Sequence, residues 1–168
     1  MKYTETTPGY NERRYGKPWM AITTSESLTK DFRFIDWDGR PGCTGEFNFE
    51  TEPGTILAYG QKDIRKGRGG VDGYQLAMPD GTLPGLSDSE AQALRKLPMG
   101  ARAAECARLN IAEAGGEIVQ CQEQLAKCAD AYRVAYENRI EKANAKIARF
   151  RAFLPVEADA EDFLSGAA

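Results

Sequence analysis

The residues with the most chemistry to offer stand in two cationic clusters. Between Gly60 and Tyr74 the chain reads GQKDIRKGRGGVDGY, so that Lys62, Arg65, Lys66 and Arg68 fall close together and glycines close the run. Alternating cation and glycine leaves the backbone open to close approach and sets positive charge beside it, which is what a phosphate or a stacked base asks of a loop. The run is not a Walker A loop, which needs a glycine, four residues and then Gly-Lys-Ser/Thr before a helix, and no G-x-G-x-x-G follows a strand and opens a helix. The second cluster, GYNERRYGKPW from Gly9 to Trp19, interleaves Tyr10, Tyr15 and Trp19 with Arg13, Arg14 and Lys17. Aromatic faces beside guanidinium groups serve single-strand binding and protein-interface hot spots alike. Both clusters also have plainer uses. A charged hairpin tip keeps a sheet soluble, and the tyrosines can pack on a sheet while the arginines pair with Glu12 and neighbouring acids. Arg13, Arg14, Lys17, Trp19, Lys62, Arg65, Lys66 and Arg68 are the candidate binding residues, and they gain weight if both clusters share one face.

Catalytic chemistry is narrower than usual. The chain contains no histidine, which removes Ser-His-Asp and Cys-His arrangements, His-ligated zinc and the commonest general base. Asp36 and Asp38, two apart, would share a face if their strand continues, and with Glu46, Glu50 and Asp63 they are the one route to a metal-dependent nuclease. DWDG is equally the sequence of a strand running into a turn. Cys43, Cys106, Cys121 and Cys128 form no C-x-x-C pair and read as free thiols of a reducing compartment, with Cys121 and Cys128 as small core residues on one helix face. The residues favour a non-enzymatic protein with no cofactor and no bound metal. A net charge of −3 and a pI near 5.2 mean that any phosphate binding must come from a local patch.

The elements that must position these residues divide the chain in two. Within 168 residues, 42% hydrophobic and 28% charged, there is room for a compact head with a helical appendage. Residues 1–85 are expected to be β-rich. PWMAITTS (Pro18–Ser25), DFRFIDW (Asp31–Trp37) and GEFNFET (Gly45–Thr51) read as strands, and TILAYG (Thr55–Gly60) and GYQLAMPDG (Gly73–Gly81) flank the basic loop as hairpin arms. Turn-rich DGRPG and EPG separate them. The expected fold is α+β, an N-terminal antiparallel sheet or small open barrel followed by a helical hairpin. Ser87 and Glu90 form a capping box, Pro98 and Gly100 break the first helix, and AGGE (Ala114–Glu117) ends an alanine-rich second stretch. From Glu117 to Leu154 apolar residues recur at spacings of three and four, predicting one long amphipathic or coiled-coil helix, stopped by Pro155. The shorter arm before it would leave its distal half uncovered, so a homodimer or higher oligomer through Tyr136, Ile140, Ile147, Phe150 and Leu154 is expected. Residues 86–155 make the hairpin, and residues 156–168 an acidic, loose tail. The opening MKYTETTPGY lacks a secretory signal and no apolar run is long enough for a membrane span, so the expected location is the cytoplasm.

The stretches KYTETTPGYNERRYGKPWMA, EPGTILAYGQKDIRKGRGG and GYQLAMPDGTL resemble small uncharacterised proteins encoded by phages and prophages, over residues 1–85. The resemblance implies a viral or mobile-element origin and supplies no catalytic residues. For proteins of this kind it implies binding to host machinery, including nucleic-acid-guided defence complexes such as the CRISPR effectors. The expected function is therefore anti-CRISPR-like binding of a host protein or ribonucleoprotein through the basic clusters. Direct binding of single-stranded nucleic acid and a nuclease using Asp36 and Asp38 are the alternatives.

Overall fold

A computed structural model describes residues 1–7, 17–23, 32–35, 45–63 and 68–155. Seven strands precede three helices: β1 (Lys2–Thr7), β2 (Lys17–Thr23), β3 (Phe32–Ile35), β4 (Gly45–Glu50), β5 (Ile56–Asp63), β6 (Arg68–Leu76), β7 (Gly85–Leu86), α1 (Asp88–Arg95), α2 (Met99–Leu125) and α3 (Asp130–Arg151). The α+β expectation is met. One sheet is the antiparallel pair β1–β4; the other has five antiparallel strands in the order β3-β2-β5-β6-β7 and is open, not a closed barrel. The chain forms two compact units, Met1–Ala103 and Ala104–Ala168, so α1 belongs with the sheets and the division falls inside α2.

In the first unit, side-chain alternation along the strands creates the layers. Met20, Ile22, Leu57 and Ala77 turn one face of the five-stranded sheet toward Tyr3 and Phe47 of the two-stranded sheet, and Ile35, Phe49 and Leu83 close the cluster. Tyr3 anchors it twice. Its ring stacks on Phe49 with centroids 5.6 Å apart, and its hydroxyl donates to the Met78 carbonyl at 2.8 Å. The intervening residues Ala21, Ile56, Ala58, Tyr74, Leu76 and Leu86 are buried on the other face, where α1 lies against β6 and β7 with Ala91 and Leu94 buried. β1 was not expected as a strand. Tyr3 is its only apolar residue that reaches the core, too little for a hydrophobic alternation to show.

Two predicted punctuation marks stand where expected. Ser87 caps α1: its Oγ accepts from the Glu90 N–H, and the Glu90 carboxylate accepts from the Ser87 N–H at 2.7 Å, the reciprocal pattern of a capping box. Pro53-Gly54 makes the turn into β5, with Gly54 at φ 89° and the Thr55 N–H donating back to the Glu52 carbonyl. A side chain at Gly54 would be strained and would also strike the Met99 carbonyl.

In the second unit the expected hairpin is present but its corner is elsewhere. α2 runs through Gly115 and Gly116 to Leu125, and the reversal occupies residues 126–129. Each glycine costs a helix about 1 kcal/mol relative to alanine, less than the alanine-rich flanks and the burial of Ala114 and Cys121 return. At the real corner the Cys128 thiol donates to the Leu125 carbonyl at 3.7 Å, so Cys128 belongs to the turn and does not share a helix face with Cys121. Ala107, Ala114 and Cys121 on α2, each one heptad apart, are buried, as are Ala143 and Phe150 on α3. Small residues at this spacing let two helix backbones approach closely. Ion pairs between Arg139 and Glu117 at 2.9 Å and between Lys146 and Glu113 at 2.6 Å set the antiparallel register.

The single helix expected over residues 117–154 is therefore two: α2 has 27 residues and α3 has 22, about 40 Å and 33 Å at 1.5 Å per residue. Phe150 is only 3% exposed within the single chain, and Tyr136, Ile140, Ile147 and Leu154 are half-buried. No helix among the described residues is long and apolar enough to cross a membrane.

Candidate functional site

Of the sequence-predicted binding residues, Arg13, Arg14, Arg65 and Lys66 lie outside the described residues, as do Asp36, Asp38 and Cys43. Lys17, Lys62 and Arg68 are placed by their strands. Only residues 64–67 separate β5 from β6, so Lys62 and Arg68 are strand residues and not parts of a long loop. The register sets Lys17 of β2 opposite Lys62 of β5, Lys62 opposite Gly69, and Asp63 opposite Arg68. By backbone register, Lys17, Lys62, Asp63 and Arg68 of three neighbouring strands thus fall at one end of the five-stranded sheet.

Trp19, the remaining predicted residue, sits two positions in from that end, opposite Gly60, and lines a cleft of about 250 Å³ with Glu5, Tyr59, Asp72 and Gln75. Backbone features build its walls. A Cβ at Gly60 would collide with the Trp19 indole, and a Cβ at Gly73 would fall 2.5 Å from the Tyr59 hydroxyl; both rings lie over glycines, Tyr59 on the inter-sheet face with its partner Met20 and Trp19 on the opposite one. Between these positions the pairing slips: Tyr59 faces Gly73 while Gly60 faces Val71, leaving Asp72 as the extra residue of a β-bulge. Bulges of this kind redirect the side chain they carry.

The floor of the cleft is polar. Glu5 follows Tyr3 by two residues on β1, so alternation turns its carboxylate toward the space between the sheets. Burial there raises its pKa above the ordinary 4.5, and a hydrogen bond with the Gln75 side chain pulls it partway back. Gln75 is 9% exposed, and among the described residues its Oε1 has no hydrogen-bond partner. Glu5, Tyr59, Asp72 and Gln75 were not anticipated as site residues. The signal for Glu5 was its spacing from Tyr3 in KYTETT, and for Asp72 the glycine-flanked GGVDG, whose bulge only the register reveals.

Among the described residues no group of three or more Cys, Asp or Glu side chains gathers to hold a metal ion. Cys106, Cys121 and Cys128 are free. No family model, curated protein or solved structure matches this chain.

Proposed function

We propose that the protein is a non-enzymatic binding module whose cationic sheet end engages a phosphate-rich partner. The observation that carries this reading is the direct pairing of Lys17 with Lys62, with Arg68 on the next strand. Like charges directly opposite one another destabilise a sheet, and a bound polyanion relieves that repulsion. The absence of histidine narrows the routes to catalysis, and the phage resemblance supplies the setting: the host cytoplasm, and a nucleic-acid-guided complex as the target.

The test is binding of labelled single-stranded RNA and DNA by the wild type and by a Lys17→Glu, Lys62→Glu, Arg68→Glu triple variant across a salt series. If three phosphates are neutralised, affinity falls about fifteen- to twentyfold between roughly 50 and 200 mM salt, and the variant does not bind. Salt-independent binding, or equal binding by the variant, overturns the reading. Capture from host lysate after nuclease treatment then separates the targets. A protein complex retained by the wild type and lost in the variant is a protein-facing target; recovery of nucleic acid alone assigns direct nucleic-acid binding.

A further inference from the structure

We propose that the cleft between the two sheets is a guanidinium-recognition pocket, which takes one arginine side chain against Tyr59 with Glu5, Gln75 and Asp72 as its acceptors. The proposal is independent of the cationic sheet end and concerns a ligand of opposite charge.

Three observations converge on it. The first is the orphaned acceptor. A buried carbonyl oxygen without a donor is destabilising, and among the described residues Gln75 Oε1 is such an atom on a side chain 9% exposed. Gln75 lines the cleft, where a ligand N–H is placed to supply the missing donor. The second is charge. Glu5 and Asp72 both line the same cleft, one by strand alternation and the other by a bulge. Two carboxylates and an amide oxygen make an acceptor-rich site, which matches a group having donors only. Guanidinium is that group: planar, permanently charged, with five N–H donors and no acceptor. The third is shape. Tyr59 lines the cleft on the face it shares with its partner Met20, and a guanidinium stacks on aromatic faces in a way a compact ammonium does not. At about 250 Å³ the cleft is below the range that encloses a drug-sized ligand and suits a single side chain.

Gly73 and the bulge support the same assignment. With a side chain at position 73 the Tyr59 ring could not lie where it does, and without the bulge the register would run on past Asp72. These features weaken a strand, and a cleft with a defined ligand gives them a use.

Isothermal titration calorimetry follows the heat released as N-acetylarginine methylamide is added, with the neutral citrulline and the lysine counterparts as controls. The expected result is a saturable change with the arginine probe, none with citrulline, and weaker binding of lysine. Glu5→Gln and Gln75→Leu, each checked by thermal melting for an intact fold, weaken the arginine probe at least tenfold. A Gly-Gly-Arg-Gly-Gly peptide that binds as well as the amide assigns the pocket to an arginine of a partner protein; tighter binding of free arginine assigns it to the amino acid itself. Equal response to citrulline, undiminished binding by folded Glu5→Gln and Gln75→Leu proteins, or no saturable change overturns the proposal.

Discussion

Arg102 holds together three stretches of chain with one planar group. Its guanidinium donates to the carbonyls of Leu97 and Gly54 at 3.1 Å and of Arg95 at 3.3 Å, joining the turn before β5 to the end of α1. Partial burial lowers its pKa, yet an arginine remains charged throughout the working range. Arg102→Ala leaves part-buried carbonyls without a donor and is expected to cost about 1–3 kcal/mol in urea unfolding. Arg102→Lys should recover little, because an ammonium cannot span three divergent acceptors. Nothing in the alanine-rich stretch around Arg102 marks it, since its partners come from sequence positions that only the folded turn brings near. Glu5 makes the contrasting case, a carboxylate whose folded environment raises its pKa. A raised carboxylate pKa means that the folded state binds the proton more tightly than the unfolded chain. Its contribution is fully present below the unfolded value near 4.5 and is lost as pH rises through the higher folded value. Across that window above 4.5 the wild type should lose stability relative to Glu5→Gln, which lacks the titration. Urea midpoints of the two proteins measured at several pH values check this, and parallel pH profiles would sink it.

At the scale of elements, the legible features were those written in contiguous residues. The Ser87–Glu90 capping box, the Pro53-Gly54 turn and the alternation of β4 depend on neighbours within a few positions, and each stands where the sequence put it. The helical corner was misplaced because local punctuation and tertiary packing disagreed. Gly115 and Gly116 carry the strongest helix-ending signal in the hairpin, and residues 126–129, the real reversal, contain neither glycine nor proline. Packing decided the matter: the buried heptad of Ala107, Ala114 and Cys121 spans the two glycines, so breaking the helix there would divide the seam. A Cβ at either glycine would meet nothing within 4 Å. Gly115→Ala and Gly116→Ala should therefore each stabilise the hairpin by about 1 kcal/mol. A helical melt unchanged or lowered by the double substitution would show that the glycines serve a close approach and are not merely tolerated. The candidate site was legible only in part. Trp19 and the strand-end cations were visible as residue types, whereas the cleft depends on a one-residue slip in register and on which strand lies beside which.

At the scale of the molecule, the division into Met1–Ala103 and Ala104–Ala168 makes a claim about cooperativity that those glycines can test. Each unit has its own buried set, the inter-sheet cluster around Tyr3 and Phe47 in one and the alanine-cysteine seam in the other. Units with separate cores can unfold as separate cooperative blocks. Both tryptophans belong to the first unit by sequence, so indole fluorescence reports the sheets, while far-UV circular dichroism is dominated by α2 and α3. The double Gly115→Ala, Gly116→Ala protein is expected to shift the dichroism transition upward and leave the fluorescence transition where the wild type has it. Coincident transitions that move together would mean that α2, which crosses the division, transmits stability from one core to the other, and the two units would then count as one folding block. The outcome also bears on the binding reading. If the units unfold independently, charge reversal at Lys17, Lys62 and Arg68 can abolish binding while the dichroism transition of the hairpin is untouched. A loss of binding accompanied by a shift in that transition would instead mark the triple variant as misfolded.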